Sequence, residues 1–295
     1  MTDRLRLEGS MVALITPFAG GEVDFDSLGK LIDYQLENGT QALVPCGTTG
    51  ESPTLTHEEH DRVIEFTVER SRGRVPVIAG TGSNSTEEAL RLTRHAKSVG
   101  VTACLVVNPY YNKPTQRGIY EHVKAIGNVG LPIVLYNNPW RCGVELTAKT
   151  IAQIYQDVPM VIADKEATGR LDLASAIANR CDITVLSGDD SLTLPLCAVG
   201  AKGVISVLAN LLPAEMRSLW DAIAANDLAQ ACTQHLKLFP LFKAMFVETN
   251  PIPIKAAMAM AGMIENELRL PLMPLSDENR QQLADMISGF IPVQV

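Results

Sequence analysis

The chain has 295 residues, of which 46% are hydrophobic and 20% charged, and its formal net charge at pH 7 is −8. This composition supplies a large apolar core and excludes a globally disordered chain. The net negative charge disfavours nucleic acid as the main partner. Residues 1–8 are polar, so we expect no secretory signal, and no apolar run is long enough to predict a membrane span.

Short apolar runs rich in β-branched residues recur along most of the chain, about 30 residues apart at first and about 20 later. Near-continuous apolar runs are typical of parallel strands that are covered on both faces. We predict eight strands on this basis: Val12–Ile15, Ala42–Val44, Val75–Ala79, Ala103–Val107, Ile133–Tyr136, Met160–Ala163, Ile183–Leu186 and Gly203–Val207.

The segments between these runs carry helical signals. Ser85 predicts a helix start through a capping box with Glu88, and Pro213 suits the first turn of a later helix. Leucines and an isoleucine recur at helical spacing before a glycine that suits a helix C-terminus: Leu28, Leu31, Ile32, Leu36 and Gly39.

Strands that alternate with helices predict an α/β fold, a (β/α)8 TIM barrel with a C-terminal helical extension. An open doubly wound sheet is the alternative, but the segment from Gly80 to Ser85 does not complete the glycine-rich phosphate turn of that fold. We expect residues 1–225 to form the catalytic barrel. Residues 226–295 contain no convincing strand and are predicted to form the helical region.

The cysteines and histidines disfavour a metal site. None of the six cysteines forms a CxxC pair, so we expect reduced thiols in a cytoplasmic protein. His57 and His60 are three residues apart, whereas the zinc-binding HExxH motif separates its histidines by four. A polar helix N-terminus is the preferred interpretation of this pair.

Polar groups follow several predicted strands at the end where barrels of this kind carry their active sites. Gly47–Ser52 offers hydroxyl and N–H groups for a carboxylate or a proton relay, although an ordinary turn has the same composition. Tyr110, Tyr111 and Tyr136 could transfer protons or simply pack with satisfied hydroxyls. Arg141 could bind a carboxylate or lie on the surface.

Lys165 stands at the end of an otherwise apolar strand. Alternation places Ala163 and Lys165 on one face and Asp164 on the other. Burial disfavours the ammonium form of a lysine and makes the amine nucleophilic toward carbonyl groups. The pattern therefore favours Schiff-base chemistry slightly over a lysine paired with a carboxylate.

Together these residues resemble the dihydrodipicolinate synthase family, within the pyruvate-dependent class I aldolases and lyases. The resemblance covers nearly the whole chain. The segments that carry it are Gly47–Ser52, Tyr110–Tyr111, Tyr136–Asn137 with Pro139 and Arg141, Lys165–Gly169, Ser187–Asp190 and Asn250–Lys255.

The resemblance implies a reaction and roles for particular residues. Lys165 would form a Schiff base with pyruvate, and the enamine would attack L-aspartate 4-semialdehyde to give 4-hydroxy-tetrahydrodipicolinate. No metal or organic cofactor would be needed. The implied site comprises Thr48, Tyr111 and Tyr136 as a proton relay, Thr49 at the pyruvate carboxylate, Arg141 at the semialdehyde carboxylate and the carbonyl of Ile205 nearby.

The resemblance also implies a homotetramer, built as a dimer of dimers, in which a neighbouring subunit supplies Tyr111. L-lysine would act as a feedback effector at a subunit interface. The residues that match such an effector site are Ser52, His57, His60, Asn84, Glu88 and Tyr110.

Several positions depart from the family pattern. Asn138, Trp140 and Cys142 flank Arg141 and could alter the second-substrate pocket, Pro53 replaces a small residue, and Asp164 replaces an aliphatic one. Asp164 is expected to face the helix layer, where a carboxylate needs a hydrogen-bonded or ionic partner. A 2-keto-3-deoxy sugar acid aldolase or an N-acetylneuraminate lyase is the alternative function, and a non-catalytic ligand-binding barrel is a third.

Overall fold

A computed structural model describes residues 5–292, so the first four residues of the segment considered for a secretory signal lie outside it. The strands are β1 Gly9–Ala13, β2 Phe18–Ala19, β3 Glu22–Val23, β4 Ala42–Val44, β5 Ile78–Gly80, β6 Ala103–Val107, β7 Ile133–Asn137, β8 Val161–Glu166, β9 Thr184–Ser187 and β10 Gly203–Ser206. The helices are α1 Phe25–Glu37, α2 His57–Ser71, α3 Thr86–Ser98, α4 Gln116–Gly127, α5 Pro139–Cys142, α6 Ala148–Asp157, α7 Leu171–Ala178, α8 Thr193–Ala198, α9 Pro213–Ala224, α10 Leu228–Ala244, α11 Ile252–Met260 and α12 Asp277–Ile287.

The eight predicted strands are all present, and they form one sheet in the order β4-β1-β10-β9-β8-β7-β6-β5. The strands are parallel, and helices follow them along the chain. This topology confirms the predicted (β/α)8 barrel with C-terminal helices. Among the described residues, no helix is both long and apolar enough to cross a membrane.

A short antiparallel hairpin of β2 and β3 was not predicted. Phe18 pairs with Val23, and the turn between the strands contains Gly20 and Gly21, both with positive φ. Two consecutive residues with positive φ make the tight turn that suits a two-residue hairpin. The Gly-Gly dipeptide was therefore the signal for this element.

The chain divides into two compact units. Of the described residues, one unit contains 5–9 together with Pro76–Ile205, and the other contains Ser10–Val75 and 206–292. The division at residue 225 between barrel and helical region stays a prediction.

The helix boundaries follow local chemistry. The side chain of Ser85 accepts the N–H of Glu88 at the start of α3, as predicted. Gly39 follows the Asn38 cap of α1 with a φ of +80°, and α9 begins at Pro213. These helix ends therefore agree with the local signals in the sequence: a capping serine, a glycine after the last turn and a first-turn proline.

A buried ion pair links α11 to the loop after β4 within the second unit. The Nζ of Lys255 lies 2.6 Å from Oε1 of Glu51, and both side chains are fully buried. The ammonium also donates to the carbonyl of Thr16 at 3.0 Å, and the N–H of Arg269 donates to Glu51 at 3.2 Å. Burial lowers the pKa of Lys255, and the charge of Glu51 opposes that shift.

Asp164 has no hydrogen-bond partner within the described residues, so the predicted partner is wrong. The side chain is fully buried, and its register neighbours are Leu135 and Val185, which offer no polar atoms from their side chains. Burial, and then the nearby Glu166, raise the pKa of Asp164 well above its usual value. The protonated form is therefore favoured in the folded chain.

Lys255→Met is expected to lower the free energy of unfolding by about 3–5 kcal/mol, because it leaves the Glu51 carboxylate buried without its cation. Urea unfolding at neutral pH measures this loss, and Glu51→Gln combined with Lys255→Met should recover part of it. Lys237→Met is the control, since Lys237 pairs with Glu215 at the surface. This substitution should lower the free energy of unfolding by only about 0–1 kcal/mol. Equal losses for the two lysines would contradict this assignment.

Asp164→Val is expected to stabilise the chain by about 1–3 kcal/mol, because it removes a buried unpaired carboxyl group. The pKa of Asp164 is raised in the folded state, so wild-type stability should fall as pH rises above the unfolded value of 3.8. The gain should therefore be larger at pH 8 than at pH 5 in urea titrations. The exposed Asp182→Val is the control, and a gain independent of pH would contradict the prediction.

Candidate active site

Lys165 and Tyr136 lie side by side at the ends of β8 and β7. The two residues are register partners, and they are only 5% and 7% exposed. The Nζ of Lys165 lies 4.3 Å from the centroid of the Tyr136 ring. Among the described residues, no carboxylate forms an ion pair with Lys165, and its amine lies over the ring face in cation–π geometry. A buried amine without a counter-ion has the environment that nucleophilic lysines require.

Gly188 makes room for Lys165. A Cβ at this position would lie 3.1 Å from Cε of Lys165 and 2.7 Å from Cβ of Ala167. The N–H of Gly188 donates to the carbonyl of Glu166 at 2.8 Å, which holds the backbone against the end of β8. The sequence pattern assigned no role to Gly188, because this close approach depends on tertiary contacts.

Asn138 contacts both Tyr136 and Arg141. Its Nδ2 donates to the Tyr136 hydroxyl at 2.9 Å, and its Oδ1 accepts the backbone N–H of Arg141 at 3.2 Å as the N-cap of α5. Arg141 is exposed on this short helix, Cys142 is buried and Trp140 is 85% exposed. Within the first unit, contacts thus run from Lys165 to the Tyr136 ring and from the Tyr136 hydroxyl through Asn138 to the backbone of Arg141.

Asn137 fixes the ends of β7 and β8 behind these residues. Its side chain exchanges two hydrogen bonds with the backbone of Leu146, at 2.9 and 3.1 Å, and accepts another from Asn108 at 3.1 Å. It also donates to the Glu166 carboxylate at 3.4 Å, and burial raises the pKa of Glu166. This buried network holds the strand ends that carry Tyr136 and Lys165.

The loop after β4 is held rigidly in the second unit. Thr49 is 4% exposed, and its hydroxyl accepts a hydrogen bond from Nδ2 of Asn250 at 3.0 Å. The Thr16 hydroxyl donates to the carbonyl of Gly50 at 2.7 Å, and Glu51 has a positive φ of 52°. Thr48 is half-buried. The loop therefore presents its two threonines from a fixed backbone, and Asn250 is a support that the sequence pattern did not assign.

The remaining predicted catalytic and substrate-binding residues differ in exposure. Ile205 lies in β10 and is 1% exposed. Tyr111 is 90% exposed and has a φ of 72°. A non-glycine residue with positive φ is strained, and such strain is frequent at functional positions.

The predicted effector residues occur in both units. In the first, Asn84, Glu88 and Tyr110 are half-buried, and the Glu88 carboxylate contacts the hydroxyl of Ser83. In the second, Ser52 lies in a 3-10 turn, His57 is the exposed first residue of α2 and His60 is buried. The predicted helix N-terminus at His57 is confirmed. Residues 5–292 contain no cluster of three or more His, Cys, Asp or Glu side chains that could hold a metal ion.

Comparisons with known proteins agree over the full length. A sequence model of the Dihydrodipicolinate synthetase family matches residues 6–289. The 4-hydroxy-tetrahydrodipicolinate synthase of Aquifex aeolicus is 52% identical over 286 residues, which are 96% of this chain and 97% of that protein. The crystal structure of dihydrodipicolinate synthase from the same organism superposes with a TM-score of 0.97 at 51% identity and covers 98% of this chain and 100% of the other.

Two further crystal structures contain small molecules. The chloride-inhibited dihydrodipicolinate synthase of Acinetobacter baumannii, complexed with pyruvate, gives a TM-score of 0.94 at 42% identity over 96% of this chain and 98% of that one. The crystal structure of the Cyanidioschyzon merolae enzyme with lysine bound gives a TM-score of 0.93 at 38% identity. It covers 95% of this chain and 97% of that one. This chain belongs to the dihydrodipicolinate synthetase family.

Proposed function

We propose that this chain is a 4-hydroxy-tetrahydrodipicolinate synthase, a lyase of diaminopimelate and lysine biosynthesis that condenses pyruvate with L-aspartate 4-semialdehyde. The observation that carries the proposal is the buried Lys165, which lies over the Tyr136 ring and pairs with no carboxylate of residues 5–292. The names of the relatives in the same family support this reaction.

Lys165 supplies the nucleophile. Its neutral amine adds to the ketone carbon of pyruvate, and loss of water gives an imine. Loss of a methyl proton then gives an enamine, whose carbon attacks the aldehyde carbon of the semialdehyde. Cyclisation through the substrate amine releases Lys165 and forms 4-hydroxy-tetrahydrodipicolinate. Each of these steps moves protons, which hydroxyl groups can relay.

Tyr136, Thr48 and Tyr111 form the proposed proton relay. Tyr136 has its hydroxyl oxygen engaged by Asn138 and its ring against Lys165. The high exposure of Tyr111 is consistent with a side chain that completes a neighbouring subunit's site in a homotetramer.

Thr49 and Arg141 recognise the substrate carboxylates in this proposal, with the carbonyl of Ile205 nearby. Asn250 donates to the Thr49 hydroxyl, which keeps its own hydrogen to donate to the carboxylate of pyruvate. Arg141 offers a planar fork of donors for the carboxylate of the semialdehyde. Two anionic substrates therefore meet local donors on a chain whose net charge is −8.

The alternative, a sugar acid aldolase or N-acetylneuraminate lyase, shares Lys165 and Tyr136 in role. Arg141 on α5 and the names of the relatives favour the synthase. A non-catalytic barrel is disfavoured because the nucleophile and the tyrosine are both present and adjacent.

L-lysine is the proposed effector, at Ser52, His57, His60, Asn84, Glu88 and Tyr110. The half-buried Glu88 carboxylate is a suitable partner for an ammonium group, and one relative was crystallised with lysine bound. A cytoplasmic location stays a prediction, which the absence of a disulfide among the six cysteines supports.

Incubation with pyruvate and borohydride should trap a reduced adduct on Lys165, because reduction makes the imine permanent. Peptide mass spectrometry locates the adduct. Lys255 is the internal control, since it is equally buried but paired with Glu51 and should carry no adduct. Lys165→Ala should lose both trapping and turnover, and an adduct elsewhere or none at all would contradict the proposed chemistry.

L-lysine should lower the steady-state rate of the wild-type chain. Glu88→Gln should raise the lysine concentration for half-inhibition about tenfold, because it removes one charged partner. The control is Glu87→Gln, an exposed carboxylate on the same helix, which should change this concentration less than about twofold. A rate that lysine does not affect, or equal effects of the two variants, would contradict the effector site.

A further inference from the structure

The Asn138 amide connects the Tyr136 side chain with the backbone of Arg141, two residues of the proposed site. It donates to the hydroxyl of Tyr136 at 2.9 Å and accepts the backbone N–H of Arg141 at 3.2 Å. The second bond caps α5, which presents Arg141. A single half-buried side chain thus contacts the proposed proton-relay residue and the helix of the proposed carboxylate-binding residue.

The two partners determine the orientation of the Asn138 amide. The backbone N–H of Arg141 can only donate, so the amide oxygen must face it. The amide nitrogen then faces Tyr136 and occupies a lone pair of the phenol oxygen. The phenol hydrogen consequently points away from Asn138 and stays available for proton transfer.

We infer that Asn138 is a positioning residue that fixes the Tyr136 hydroxyl relative to α5, the helix that carries Arg141. The inference rests on the proposed function, since it assigns Asn138 a part in that reaction. Lys165 contacts the face of the same ring at 4.3 Å, so Tyr136 is held at both its face and its hydroxyl. An apolar side chain at this position could form neither hydrogen bond.

Two substitutions separate the two hydrogen bonds. Asn138→Asp keeps the length of the side chain and an oxygen for the Arg141 N–H, but it removes the donor to Tyr136. Asn138→Ser keeps a neutral capping oxygen and is too short to reach the phenol. Agreement between these variants excludes the added charge of aspartate as the cause of any effect.

Both variants should lower kcat about tenfold, because the Tyr136 hydroxyl loses its fixed orientation, and should change the KM for the semialdehyde less than about twofold. Asn138→Val loses the cap as well, so it should also raise that KM severalfold. A general loss of folding stability would not lower kcat in all three variants while raising the KM only in Asn138→Val.

The Tyr136→Phe background tests whether Asn138 acts through the hydroxyl. There Asn138→Asp and Asn138→Ser should change the residual kcat less than about twofold, because the group they position is already gone. A tenfold loss in both backgrounds would overturn the inference, and so would full kcat of both variants in the wild-type background.

Thr147→Ala is the matched control. Thr147 caps α6 through the N–H of Thr150 and lies outside the proposed site. This variant should lose stability without changing kcat or either KM. An inactive wild-type chain would contradict the proposed function, whereas an active wild type with fully active Asn138 variants would contradict only the role of Asn138.

Discussion

The burial of Lys165 against the Tyr136 ring, with no paired carboxylate in the part of the chain that the structure describes, is the constraint on which the proposed chemistry depends. The chain buries a second lysine, Lys255, with a direct ion pair to Glu51. The two lysines differ in their partners, because Lys255 pairs with a carboxylate whereas Lys165 lies over the ring of Tyr136. This difference gives Lys255 a structural role and supports Lys165 as the proposed nucleophile. Gly188 allows the close approach that this arrangement of Lys165 requires.

Hydrogen bonds orient the side chains and the strand ends that form the proposed site. Asn137 ties the ends of β7 and β8 to Leu146, and Asn138 links the Tyr136 hydroxyl to the start of α5. In the other unit, Asn250 and Lys255 hold the loop that bears Thr48 and Thr49. Such support matters because the rate of a reaction falls steeply when its catalytic groups are misplaced by even about 1 Å. Asn250 and α11 thus support this loop directly.

Much of the fold could be predicted because it depends on local patterns. Apolar runs located all eight strands of the barrel, a capping serine located the start of α3, and a proline in the first turn located the start of α9. The partner of Asp164 could not be predicted, since alternation tells which face a side chain occupies but not what lies opposite. The same limit applies to Gly188, whose role arises from its close approach to Lys165 in the fold. The contacts of Asn138 are local, but its bond to the Tyr136 hydroxyl depends on side-chain orientations that periodicity does not give.

The most direct test of the account compares substrates at the same site. Specificity constants should be measured for condensation of pyruvate with L-aspartate 4-semialdehyde and for cleavage of N-acetylneuraminate and a 2-keto-3-deoxy sugar acid. The account predicts that condensation exceeds either cleavage by at least about 10³-fold, since polar groups aimed at a particular substrate reject analogues that leave them unpaired. Cleavage of a sugar acid with equal or greater efficiency would contradict it.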